Sequence, residues 1–146
     1  MTKWRPNQHV QTKVIGICIN KARLLAMEIY DDKGNVKGVR PLGGVIEFGE
    51  NREDALRREY HEELNTDISL SGSWRVFENL YVHEGMRGHE YIFAIGICLL
   101  DQSIYHRDLI VFSEDSGSSC KARWFPLEQL KSGTTRLFPD GLEQLL

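Results

Sequence analysis

Apolar residues recur at two different periods along this chain, and the change of period marks where strands give way to a helix. Residues 12–18 and 24–30 are short aliphatic and β-branched runs that read as strands. A tight turn is expected between them near Lys21, and Asp31-Asp32-Lys33-Gly34-Asn35 supplies the next one. From residue 52 to 64 the period lengthens, and Leu56, Tyr60 and Leu64 recur at four-residue spacing, the stripe with which a helix docks on a sheet. Asn51 is a good N-cap and Asp54, three residues on, completes a box-like cap. Beyond the helix, residues 68–82 are strand-like with a break near Gly72, and residues 91–100 have the continuous apolar character of a central strand. Gly85 and Gly88 mark a loop between these two strands. Residues 113–119 form a polar loop, 122–125 a short strand, 126–131 a helix opened by Pro126, and 140–146 a last helix. No repeat or linker divides the chain. The expected class is α/β, an α/β/α sandwich with a mixed β-sheet in one domain over residues 1–146.

The chemistry is concentrated on the helix. At about 100° per residue, Glu63 lies about 40° to one side of Glu59 and Glu62 about 60° to the other, so three carboxylates project along one face. Like charges at this spacing cost a few tenths of a kcal/mol per pair in an isolated helix, so an offsetting cation is expected. Magnesium or manganese, a hard cation that accepts oxygen ligands and bridges to phosphates, fits that need. Arg58 can make a forked pair with Glu50 at the helix entrance, which would orient the metal acids. An acidic run taken alone is more often a solvated face, so the case rests on the residues around it.

Those residues carry a resemblance. The stretch from Gly44 through Thr66 resembles the Nudix box: Gly44, Glu50, Arg58, Glu59, Glu62 and Glu63 all fall in its register. Six fixed identities arise by chance at about 10⁻⁷ per window at ordinary residue abundances. Three positions depart from the pattern. Tyr60 stands where an aliphatic residue is usual, Asn65 replaces glycine, and Thr66 replaces an apolar residue. Asparagine is the next-best residue for the left-handed turn that closes a helix. Upstream, Arg40-Pro41-Leu42-Gly43-Gly44 is similar to the family's proline-glycine-glycine turn, with a leucine inserted. Trp124-Phe125-Pro126-Leu127 is similar to its C-terminal strand-to-helix junction.

The resemblance implies a Nudix-type sandwich and a magnesium- or manganese-dependent hydrolase that cuts a diphosphate linkage in a nucleoside diphosphate joined to a further group. A nucleotide sugar such as ADP-ribose stands ahead of a nucleoside triphosphate as substrate. Carried over by position, Glu59 and Glu63 are the principal metal ligands and Glu62 a ligand or water-positioning group. Any of the three could be the base, because crowded carboxylates titrate as a set. A further acid from a distant loop is common in the family; Glu90, Glu114 and Asp115 are the candidates, each read by itself as an exposed loop acid. Gly43 and Gly44 suit a backbone that approaches a phosphate closely. The alternative is a module of the same type that senses a nucleotide or binds a protein without turnover.

Composition adds exclusions. Eighteen basic against twenty-one acidic residues leave a net charge of -3 with no basic arm, so duplex nucleic acid is disfavoured as a partner. The partner expected is a small nucleotide, with the protein a monomer or homodimer. Cys18, Cys98 and Cys120 are widely spaced and read as reduced core thiols of a cytoplasmic protein, two of them within apolar runs. No apolar signal core or membrane-length run is present, so neither secretion nor membrane spanning is expected. His61, His83, His89 and His106 lack the paired spacing of a zinc site. Tyr81, Tyr91 and Trp74 could stack on a base but read as strand packing. Of the basic residues near glycine turns, Lys37, Arg40 and Arg87, Arg40 is the first to test as a phosphate ligand.

Overall fold

The computed structural model describes residues 3–114 and 116–146. Two sheets form a single β layer. In the first, β5 (Gly43–Val45), β1 (Gln11–Ile17), β7 (Met86–Leu99) and β6 (Ile68–His83) lie side by side, with β1 and β7 parallel and the other pairs antiparallel. In the second, β2 (Ile19–Asn20), β3 (Arg23–Tyr30), β9 (Ser119–Pro126) and β8 (Ile110–Ser113) are antiparallel, and β4 (Val36–Arg40) pairs with β3. The central strands β1, β3 and β7 are buried on both sides, and their period-two alternation sorts the side chains into two cores. Val14, Leu25, Met27, Ile95, Ile97, Ala122 and Trp124 pack with Ala55, Leu56, Tyr60 and Leu64 of α1 (Arg52–Leu64). Their strand neighbours Ile15, Leu24, Ala26, Ile92 and Ala94 pack on the opposite side with Leu130 of α2 (Leu127–Ser132) and with Leu137 and Leu142. This is the expected α/β/α sandwich with a mixed sheet.

Local chemistry explains the boundaries. Asn51 Oδ1 accepts a hydrogen bond from the Asp54 amide at 2.8 Å, and Asn65 closes α1 in the left-handed region (φ 52°, ψ 45°) with its amide on the His61 carbonyl. The Asp31 carboxylate accepts from the Lys33 and Asn35 amides, both at 2.9 Å, and fixes the β3–β4 turn. The break near Gly72 is a bulge: the β6–β7 register shifts between Ser71 and Arg75, and Gly72 has φ 82°.

Several expectations are corrected. The loop assigned to Gly85 and Gly88 is only Glu84-Gly85, both left-handed, so β7 begins at Met86 and Gly88 is a strand residue. It is glycine because the Tyr81 ring lies on it; a Cβ there would fall 2.3–2.6 Å from ring atoms. The expected last helix is a 3-10 turn at Leu142–Leu145. Strands β4, β5 and β8 are too short or too rich in glycine to carry a period and were not foreseen. Cys18 and Cys120 are buried and Cys98 is exposed, because Cys98 takes the outward position between Ile97 and Leu99 on β7. Thr66 is buried rather than a weakness in packing: its hydroxyl donates to the Asp67 carbonyl and accepts from the Asp101 amide. No helix among the described residues is long and apolar enough to cross a membrane.

Tyr60 joins the helix to β1 and to the segment that leads into β5, since its buried hydroxyl reaches the Gly16 and Leu42 carbonyls at 3.4 and 3.3 Å. Tyr60→Ala is expected to destabilise the protein by about 3–5 kcal/mol, as for other large aromatic truncations. Tyr60→Phe, which keeps the volume, should lose only about 0.5–1.5 kcal/mol. Urea unfolding of the two variants measures both.

Candidate active site

The site forms where α1 passes β5. Arg58, in the middle of the helix, reaches back to the segment that leads into it. Its Nε and Nη2 make a two-pronged contact with Glu50 at 2.7 and 2.9 Å, and Nη2 also donates to the Val45 carbonyl at 3.1 Å. Nη1 meets Glu59 at 2.9 Å and Glu62 at 3.4 Å. The expected Glu50–Arg58 fork is therefore present, and the same guanidinium also ties Glu59 and Glu62. These contacts hold the Glu50 carboxyl below its usual pKa, with the Arg58 hydrogen bond the largest cause.

Gly44 and Gly43 are glycines for two separate reasons. A Cβ on Gly44 would lie 2.4–2.7 Å from the Glu59 carboxyl atoms, so the absent side chain is the space that carboxylate occupies. A Cβ on Gly43 would lie 1.9 Å from the Val14 carbonyl oxygen, where β5 pairs with β1. Glu63 stands one helical turn from Glu59 and is largely buried. Among the described residues its Oε2 is enclosed without a hydrogen-bond partner. Burial first, and then the neighbouring Glu59 carboxylate, push the Glu63 carboxyl far above the usual carboxylate range. Glu62 lies at the rim, 42% exposed. Glu59 and Glu63 thus converge, while Glu62 is turned toward Arg58. Among the described residues, no three His, Cys, Asp or Glu side chains stand in an arrangement ready to hold a metal ion.

The distant acids separate. Glu114, just past β8, contacts Arg40 at 3.8 Å, and its charge is among those felt at Glu63. Glu90 is not a loop acid: it lies buried in β7, with Lys13 Nζ at 2.8 Å and Asn79 Nδ2 at 3.1 Å. Lys13 was missed by the sequence reading, although a lysine inside the apolar run of β1 was a visible signal. Asp115 lies outside the described residues. The aromatic candidates are engaged elsewhere: Trp74 lies 4.4 Å beneath the Arg52 guanidinium, and Tyr91 donates to Glu78.

The NUDIX domain model matches residues 9–144. The chain belongs to the Nudix family. It is similar to the nucleoside triphosphatase NudI of Klebsiella pneumoniae subsp. pneumoniae, at 27% identity over 124 residues, 84% of this chain and 86% of that protein. Its fold is similar to a NUDIX hydrolase from Nitrosomonas europaea, with a TM-score of 0.57 at 16% identity over 97% of this chain and 85% of that one. A MutT protein from Bacillus halodurans gives 0.54 at 18% identity, over 92% and 78% of the two chains. The chain is accordingly a Nudix pyrophosphohydrolase, of a family that acts on nucleoside diphosphate derivatives. Hydrolases of this family generally use divalent metals, and the buried, unpartnered Glu63 oxygen beside Glu59 fits such an ion.

Gly43 and Gly44 yield opposite predictions. Gly43→Ala should destabilise the fold by about 1–3 kcal/mol, because its clash is with backbone. Gly44→Ala should leave the melting temperature nearly unchanged and depress activity, because it displaces the Glu59 carboxylate. Thermal unfolding beside turnover separates the two.

Glu63 also sets a pH signature in the metal-free protein. Its folded-state pKa is raised, so its share of stability is complete below the unfolded carboxylate value and is lost as pH rises toward the folded one. Glu63→Gln should match wild type near pH 5 and exceed it at pH 9 by at least about 3 °C in Tm, the shift that about 1 kcal/mol gives a chain of this size. Saturating magnesium should remove the difference. Scanning calorimetry across that pH range is the measurement.

Proposed function

We propose that this Nudix enzyme cleaves a pyrophosphate linkage in a nucleoside diphosphate joined to another group, with magnesium or manganese as its ion. The observation that supports this most strongly is the enclosed Glu63 oxygen, left without a partner among the described residues, one helical turn from the Glu59 carboxylate that fills the space at Gly44. A buried carboxylate with an unmet oxygen is unfavourable unless something completes it, and a hard cation with oxygen ligands does so. Glu59 and Glu63 would be the principal ligands. Glu62 at the rim, and Glu114 beside Arg40, would assist.

When bound, the ion supplies neutralisation of charge on the phosphoanhydride oxygens and a more acidic water. The chain does the rest. Arg58 holds one Glu59 oxygen and leaves the other for the ion, while Glu50 fixes the guanidinium that does this. The backbone at Gly43 and Gly44 lets a phosphate come close. The base belongs to the coupled set Glu59, Glu62 and Glu63, not to one member of it.

A nucleotide sugar such as ADP-ribose is the leading substrate and a nucleoside triphosphate the second. The triphosphatase name of the NudI relative supports keeping the second in contention. Free thiols at all three cysteines support a cytoplasmic location.

The test is release of phosphate or nucleotide from a panel of nucleoside triphosphates, nucleotide sugars and dinucleoside polyphosphates, with magnesium or manganese. Wild type should turn over one class, and Glu63→Gln should lose at least about 100-fold in kcat, consistent with loss of an acid that acts in the transition state. Equal inactivity of both proteins, with nucleotide binding retained, would replace hydrolysis with a sensing role.

A further inference from the structure

Arg58 is tied into the acid cluster, whereas Arg40 has only a loose contact with Glu114. Arg58 spends its donors on Glu50, Glu59, Glu62 and the Val45 carbonyl. Arg40 has one anionic contact among the described residues, Nη2 to Glu114 Oε1 at 3.8 Å, which is too long for a hydrogen bond. Its side chain is only 24% exposed. Arg40 ends β4 opposite Met27, whose side chain packs in the core that α1 covers, so the guanidinium enters from the sheet side of the acid cluster. Its charge reaches Glu63 on α1 and Lys13 on β1. Lys13 cannot be its counter-ion and is itself committed to Glu90.

A guanidinium carries five donors in a planar fork, and Glu114, at 3.8 Å, takes none of Arg40's in a hydrogen bond. The fork matches two oxygens of one phosphate. We propose that Arg40 is a substrate-phosphate ligand, held beside the acid cluster by Glu114 until a nucleotide phosphate takes that carboxylate's place. The proposal rests on the pyrophosphohydrolase reading for the nature of the ligand. Glu114 then exchanges roles: bound to Arg40 in the empty protein, it joins Glu59 and Glu63 once the phosphate has engaged the guanidinium. Cation and nucleotide binding are coupled through this exchange, and the coupling acts in both directions. It also makes Arg40 a competitor of the cation when no nucleotide is present.

Opposite signs for two ligands are the signature to measure. Calorimetry on the full chain would compare wild type, Arg40→Met and Arg40→Lys with two probes, manganese alone and the non-cleavable α,β-methylene analogue of ADP with saturating magnesium. Arg40→Met should weaken the analogue by at least about tenfold, the loss of a charged hydrogen-bonding group. It should keep or tighten manganese binding, by up to about fivefold, the range for one exposed ion pair. Arg40→Lys, which retains the charge without the fork, should fall between.

A second variant guards against misfolding. Glu114→Gln frees Arg40 from its carboxylate and should tighten the analogue in cation-free buffer. The proposal is overturned if Arg40→Met leaves analogue affinity within about twofold of wild type. It is equally overturned if cation and analogue affinities fall together, or if Glu114→Gln binds the analogue no better without cation. Because the analogue is not cleaved, loss of turnover on the substrate panel and loss of Arg40-dependent binding are separate results.

Discussion

The Arg58 guanidinium is the interaction on which the site depends. It joins three parts of the chain: the end of β5 through the Val45 carbonyl, the loop before the helix through Glu50, and the helix face through Glu59 and Glu62. Two prongs on one carboxylate fix orientation as well as distance. With Arg58 so held, the Glu59 carboxylate is pressed against Gly44, and Glu63 on the next turn is carried into the enclosed space beside it.

The acidic face is thereby divided by environment. Three glutamates of one helix, chemically alike, become a tethered acid, a rim acid and a buried acid. Repulsion on the helix is offset by one cation from the protein at Glu59 and Glu62, whereas at Glu63 burial and a like charge outweigh the opposite charge of Arg40. An arrangement that leaves one carboxyl unsatisfied in the metal-free protein stores affinity for an ion. Arg40 and Glu114 bring a second, looser ion pair to the same place from the other sheet, which is where a moving part is expected.

The scaffold beneath has its central strands β1, β3 and β7 buried on both faces. Adjacent residues on β1, β3 and β7 point into different cores, so a one-residue slip in any of them would exchange two complete sets of side chains. Tyr60 shows how a departure from the usual box is absorbed: its ring fills the α1 core and its hydroxyl finds the carbonyls of Gly16 and Leu42. Thr66 does the same through Asp67 and Asp101.

Local rules were enough for much of this. The helix from Arg52 to Leu64, its Asn51 and Asn65 caps, the turn at Asp31 and the interruption at Gly72 follow from neighbours within a few residues, where capping and left-handed preferences act at short range. The Glu50–Arg58 fork was legible for the same reason, since eight residues and one helix fix its reach. Strands β4, β5 and β8 were not, because their pairing partners are distant and their side chains too few for a period. Burial likewise escaped the sequence: Glu90 reads as a loop acid until Lys13 and Asn79 are brought to it from other strands. The sequence by itself determined which acids share a helix face and which residues cap and turn the chain. Only the tertiary structure decided which of those acids is buried, which is tethered, and which distant charge each one meets, because desolvation and charge proximity depend on packing between segments far apart in the chain.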